Sequence, residues 1–218
     1  MNRDQKLLEE AYASIYESAA EIHPLVQDYI LKKKRGILNL KLKSIKSLPD
    51  NLTVYKDLNL GYSDIRALPK GLVVKRDLLL NNTPITTLPP DLKVGGIIHM
   101  GFSKVSSLPD NLTVNEKFYL NNCSELRTLP KNLHVKGDLY LHQTKIESLP
   151  PDLKVDGSIV LLGTLITKLS QLPPSISIGG LFFSDFFTTE QANDYIKRSR
   201  TVNKTLSKDF DMSALEDF

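Results

Sequence analysis

A single cysteine, Cys123, stands among 218 residues, so no internal disulfide can form. The chain is therefore expected in a reducing compartment, or indifferent to redox state. Tryptophan is absent. No run approaches about 18 continuous apolar residues, which excludes a membrane-spanning helix. The opening Met1-Asn2-Arg3-Asp4-Gln5-Lys6 leads into an amphipathic run and not into the apolar core of a secretion signal, so a cytoplasmic location is expected. The formal net charge is only +3, too small to mark a nucleic-acid surface by itself. His23, His99, His134 and His142 lie in unrelated contexts, and no P-loop, zinc-ligand spacing or Gly-x-Ser-x-Gly occurs. The expectation is a non-enzyme with no cofactor and no metal.

What the chain does have is a register. A Leu-Pro pair recurs at Leu48, Leu68, Leu88, Leu108, Leu129, Leu149 and Leu172, in steps of 20, 20, 20, 21, 20 and 23 residues. Self-similarity at so short a period marks a solenoid. Within each unit the apolar positions repeat. The unit opening at Leu129 continues with Leu133, Val135, Leu139, Leu141, Thr144 and Ile146. The unit opening at Leu68 continues with Leu72, Val74, Leu78, Leu80, Thr83 and Ile85. Alternation such as Leu139-Tyr140-Leu141 is that of a half-buried strand. The polar breaks are too short for a three-turn helix. Each unit is expected to hold two corners and one strand, its apolar side chains pointing inward.

Corner chemistry supports this. Pro fixes φ near −65°, which suits the second residue of a turn. Two residues past each proline stand Asn51, Gly71, Asp91, Asn111, Asn132 and Asp152, all of types that tolerate positive φ. Gly96, Gly137, Gly157 and Gly180 mark a second corner.

The run Leu-x-Leu-x-x-Thr-x-Ile resembles the core of leucine-rich repeats, whose sixth position is usually Asn. Here that column reads Ser63, Thr83, Ser103, Cys123, Thr144 and Thr164. The twenty-residue length is similar to the short bacterial class found in secreted effectors of pathogens. The resemblance covers about two-thirds of the chain and implies a leucine-rich-repeat-like parallel β-solenoid, an α+β repeat fold with helical caps. Related effectors often carry a ligase domain with a catalytic cysteine, but nothing after residue 188 is large enough to be one. Cys123 stands in the Ser/Thr column of the repeat and is expected as a small inward polar residue. The stretch Asp4-Gln5-Lys6-Leu7-Leu8-Glu9-Glu10-Ala11-Tyr12 resembles small accessory proteins of tailed bacteriophages. That likeness implies a modulator or inhibitor of a host protein, such as one of a defence system.

Three segments follow. Residues 1–36 form an N-terminal helical cap: Leu8, Tyr12, Ile15, Ala19, Ile22 and Val26 fall on one helical face. Asn2 and Gln5 fit a capping box, Pro24 restarts the helix, and Gly36 is expected to end it after a basic run. Residues 37–183 form the solenoid. Residues 184–218 form a C-terminal helical cap and tail, with Thr188 and Gln191 as a capping box and Phe182, Phe183, Phe186 and Phe187 as its docking cluster. Caps are needed because an open solenoid end exposes apolar side chains and unpaired strand groups.

Residues beside the buried pairs point outward. One column reads Asn39, Asn59, Leu79, His99, Tyr119, Tyr140 and Val160. The next reads Lys41, Gly61, Asn81, Gly101, Asn121, His142 and Leu162, with Tyr62 and Phe102 beside it. Aromatic anchors among amides suit protein recognition. The candidate binding residues are Asn59, Tyr62, His99, Phe102, Tyr119, Asn121, Tyr140 and His142, with a bacterial host protein as partner. Val160, Leu162 and Phe183 are expected under the C-terminal segment. The competing expectation is nucleic-acid binding through Lys32 to Arg35, Lys41, Lys43 and Lys46 at one end, and Lys197, Arg198, Arg200 and Lys204 at the other. Membrane binding is not expected.

Overall fold

The computed structural model describes residues 22–198. The helical face before Ile22, the Asn2–Gln5 capping box and the tail after residue 198 lie outside that range. The remainder is a parallel β-solenoid. Two-residue strands stack in register on two walls. The first wall is one eight-stranded parallel sheet. Its strands are β1 (Leu38–Asn39), β3 (Leu58–Asn59), β5 (Leu78–Leu79), β7 (Ile98–His99), β9 (Phe118–Tyr119), β11 (Leu139–Tyr140), β13 (Ile159–Val160) and β15 (Phe182–Phe183). At about 4.8 Å per rung this wall is about 34 Å long. The Leu-Pro register predicted it.

A second wall adds to the one strand per unit read from the sequence. It comprises β2 (Thr53–Val54), β4 (Val73–Val74) and β6 (Lys93–Val94), then β8 (Thr113–Val114), β10 (His134–Val135), β12 (Lys154–Val155) and β14 (Ser177–Ile178). The core between the walls is the predicted inward set. Leu58, Leu60, Ile65, Leu78, Leu80, Ile85, Leu139, Leu141 and Ile146 are wholly buried. The threonines of the hydroxyl column close turns inside their own rungs, whereas Ser63 Oγ is buried with no partner. Thr83, Thr144 and Thr164 donate Oγ1 to the carbonyls of Leu80, Leu141 and Leu161 at 2.6, 2.6 and 2.7 Å.

The Leu-Pro corners are of two kinds. Asn51, Gly71, Asn111 and Asn132 take φ of 60°, 66°, 61° and 53°, as their residue types allow. Asp91 and Asp152 do not enter the left-handed region. Each follows a second proline, Pro90 or Pro151, which restricts the residue before it to extended backbone. Those corners close instead by backbone bonds, Leu92 N–H to Pro89 O (3.2 Å) and Leu153 N–H to Pro150 O (3.2 Å). The corner at Pro173-Pro174 is built the same way, with Ile176 N–H on Pro173 O (3.1 Å).

Both ends are covered. Helix Pro24–Leu31 has Pro24 in its first turn and packs against β1, burying Val26 and Tyr29. It ends earlier than Gly36. Lys33 takes the left-handed conformation (φ 47°), Lys33 N–H bonds Ile30 O, and Lys34 N–H bonds Tyr29 O. That double closure satisfies the last carbonyls without a glycine. The Tyr29 hydroxyl accepts Tyr55 N–H at 3.1 Å and donates to Gly36 O at 3.0 Å, tying the cap to the second wall.

At the other end, Thr188 N–H bonds Gln191 Oε1 (2.8 Å) and Gln191 N–H bonds Thr188 Oγ1 (3.2 Å), the expected capping box. The helix over residues 189–198 buries Ala192 and Ile196. Thr189 Oγ1 accepts from Phe182 N–H (3.0 Å) and donates to Phe182 O (2.8 Å), occupying the open edge of the last strand.

Candidate recognition wall

Register pairing brings Leu79, His99, Tyr119, Tyr140, Val160 and Phe183 into one outward column on six consecutive rungs. Strand spacing close to the thickness of stacked rings lets their faces meet. His99 and Tyr119 stack at 4.9 Å between centroids, and Tyr119 and Tyr140 at 4.5 Å. Tyr140 meets His142 edge-on at 6.4 Å. Ring faces are thus occupied by neighbouring rings, leaving edges and hydroxyls toward solvent.

A carboxylate holds the tyrosines' flank. Asp138 accepts Ser158 N–H at 2.9 Å and Lys117 Nζ at 3.1 Å, with the Tyr140 hydroxyl at 3.4 Å. The Ser158 amide, and after it Lys117, keep the Asp138 carboxyl below its ordinary range. That hydrogen bond raises Lys117 in turn, and burial pushes the Tyr119 hydroxyl up. Lys117 and Asp138 carry no signal in the sequence; they occupy the outward position just before β9 and β11, where Asp57 and Asp77 stand before β3 and β5.

Burial pushes both His99 and His142 below the usual histidine value. His142 Nδ1 is buried with no partner. The depressed values mean that the unfolded chain takes up protons which the folded chain refuses. Stability should therefore fall as pH drops below about 6.5. Thermal midpoints at about pH 7.5 and 5.5 should diverge more for wild type than for His99→Phe/His142→Gln. An equal drop in both would show that these imidazoles carry none of the dependence.

The third column stands just past the strands, in left-handed backbone. It holds Leu42, Tyr62, Asn82, Phe102, Asn122, Gln143 and Gly163, with φ between 55° and 66°. Asn and Gly adopt this conformation readily, whereas Leu, Tyr and Phe do so at a cost of about 1 kcal/mol. Tyr62 is 50% exposed and Phe102 55%, so little burial offsets that cost. Each follows a glycine. A Cβ on Gly61 would meet Asn81 Oδ1 at 2.7 Å, and one on Gly101 would meet Asn121 Oδ1 at 2.8 Å. The Asn81 and Asn121 amides lie over those glycines. The alternation Gly-Tyr, Asn-Asn, Gly-Phe, Asn-Asn along the stack is thus a packing pattern, and it was legible in the sequence as Gly61 and Gly101.

All eight sequence candidates fall on this wall, and Asn59 lies at its N-terminal part in β3. Leu162 (40% exposed) and Phe183 (44%) are not covered by the described C-terminal segment, contrary to expectation. Phe187 and Phe182 dock inward, while Phe183 and Phe186 face outward.

Elsewhere little chemistry gathers. Cys123 is buried, its Sγ 3.2 Å from Met100 O, and burial pushes its thiol up. Among the described residues no group of three or more His, Cys, Asp or Glu is placed to hold a metal, and no helix is long and apolar enough to cross a membrane. Several basic groups are engaged. Lys32 and Lys34 pair with Asp28, Arg35 lies 5.4 Å over Tyr55, Lys41 lies 5.6 Å over Tyr62, and Arg198 pairs with Asp194. Arg200 and Lys204 fall outside the described residues. In comparison with known proteins, the chain matches no family model and no curated protein.

Proposed function

We propose that this solenoid is a non-catalytic protein-recognition module that binds through its first wall. The carrying observation is that Tyr62 and Phe102 are exposed in backbone that favours Asn or Gly. The Lys41 ammonium over Tyr62 offsets part of the cost at that site, but among the described residues no such contact stands at Phe102, and a partner seated on both rings accounts for the pair. The stacked column beside them is already ordered, so binding costs little side-chain entropy. Within the column the same stacking disfavours nucleic acid, because bases stack on free ring faces and those between His99, Tyr119 and Tyr140 are taken. The engaged lysines and arginines at the N-terminal end weigh the same way. The likeness of residues 4–12 to phage accessory proteins directs the partner search to bacterial cytoplasmic proteins, with inhibition of a host defence protein as the leading role.

Tyr62→Asn/Phe102→Asn tests this reading. The variant should be more stable than wild type by about 1 kcal/mol per site, since it adopts the residue type of the alternate rungs. It should nevertheless capture far less partner from bacterial lysate. Equal capture by both proteins would remove the wall from the interaction. Retention of nucleic acid by both, released steeply by salt, would favour the basic ends instead.

A further inference from the structure

The second wall is broken once. Elsewhere each rung donates two backbone amides to the rung before it. Lys93 N–H bonds Leu72 O (3.1 Å) and Gly95 N–H bonds Val74 O (2.9 Å); His134 N–H bonds Leu112 O (3.0 Å) and Lys136 N–H bonds Val114 O (2.9 Å). Between β6 and β8 neither bond forms, and the wall divides there into sheets of three and four strands. The Asn115 side chain replaces one of them, Nδ2 donating to Val94 O at 2.7 Å while Oδ1 accepts Lys136 Nζ at 2.9 Å. A groove of about 460 Å³ opens at the break, lined by Leu92, Val94, Leu112, Thr113 and Asn115 among others. Leu92 is only partly buried, whereas Leu72, Leu133 and Leu153 are buried.

The corner types account for the place. Asn-type corners bond to one another, Asn51 N–H to Lys70 O and Asn111 N–H to Lys131 O. An Asn-type or Gly corner followed by a Pro-Pro corner bonds through the aspartate, Gly71 N–H to Asp91 Oδ2 (2.7 Å) and Asn132 N–H to Asp152 Oδ2 (2.9 Å). Two Pro-Pro corners bond through Ser175 Oγ to Pro151 O (2.6 Å). A Pro-Pro corner followed by an Asn-type corner occurs once, from 89–91 to 109–111, and no hydrogen bond joins those two corners.

We infer that this junction is a hinge, built by the switch of corner type, about which the two halves of the solenoid flex. The first wall is its axis, since Ile98 N–H still bonds Lys117 O (3.1 Å) and Met100 N–H bonds Tyr119 O (2.7 Å). The ring pair that straddles the junction, His99 and Tyr119, is inclined by 21°, against 10° for Tyr119 and Tyr140. Flexure at the seam thus alters the tilt between the Tyr62–His99 half of the recognition wall and the Tyr119–His142 half.

Residue-resolved hydrogen exchange on the free protein tests the hinge and needs no partner, so its outcome is separate from that of the binding proposal. The Thr113 and Asn115 amides should exchange about 100-fold faster than those of Gly95 and Lys136. Pro90→Lys/Asp91→Asn, which gives the corner at 89–91 the Asn type, should slow them to the rate of their neighbours. Asp110→Pro/Asn111→Asp should move the fast pair one rung onward, to His134 and Lys136. Slow Met100 and Phe118 amides certify that each variant is folded. Uniform protection in wild type, or fast amides that stay in place in both folded variants, would overturn the hinge.

Discussion

Phe118→Ala is expected to cost about 3–5 kcal/mol, more than the other single aliphatic truncations in the solenoid. Phe118 is wholly buried and is, with Phe182, one of two aromatics in its inward column, between Ile98 and Leu139. Its ring fills the rung directly across the core from the break in the second wall. Rungs there are joined by a backbone ladder on one wall only, the other being bridged by the Asn115 side chain, so collapse around the cavity would have to strain the surviving ladder. Phe118→Leu retains most of the volume and matches the residue type of most sister rungs; its cost should be below about 1.5 kcal/mol. Denaturant titration of both variants measures the difference. Similar small losses in the two would mean that the core is more yielding at this rung than its packing implies.

Much of this architecture was written in the Leu-Pro register. The period placed the first wall and its inward residues, because strict repetition lets each unit corroborate the next; the cap helices are legible instead from helical spacing and the Thr188–Gln191 capping box. The second wall is not legible in the sequence because its outward positions, Thr53, Val73, Lys93, Thr113, His134 and Lys154, share no type, and two-residue strands carry no alternation of their own. Asp91 and Asp152 resemble Asn51 by residue type, but the prolines before them set the backbone. Lys33 shows the converse: a helix closed in left-handed backbone without the expected glycine.

On the recognition wall, Tyr119, Tyr140, His99 and Phe102 could be named from column position alone. Their stacking could not, since it depends on strand spacing and side-chain rotation. Nor could the Lys117–Asp138 pair beneath Tyr140, because salt bridges between rungs leave no periodic trace.

Replacing the stacked pair should have the largest effect on binding. Tyr119→Ser/Tyr140→Ser removes the centre of the aromatic column while leaving the inward faces of β9 and β11 intact. Central aromatic anchors commonly carry about 2 kcal/mol or more each, so partner affinity should fall at least about 100-fold. Stability should change little by comparison, since both side chains are only partly buried. A charge-reversing control on the other wall, Lys93→Glu/Lys154→Glu, should leave affinity within a few-fold of wild type. If the control were the variant that lost binding, the partner would sit on the second wall.

The most direct measurement is hydroxyl-radical footprinting of the protein alone and in complex with its captured partner. Tyr55 serves as the internal standard, since it is 45% exposed beside the second wall. Binding through the first wall predicts that oxidation of Tyr62, Phe102, Tyr119 and Tyr140 is suppressed while that of Tyr55 is unchanged. Suppression at Tyr55 with the other four still reactive would contradict it.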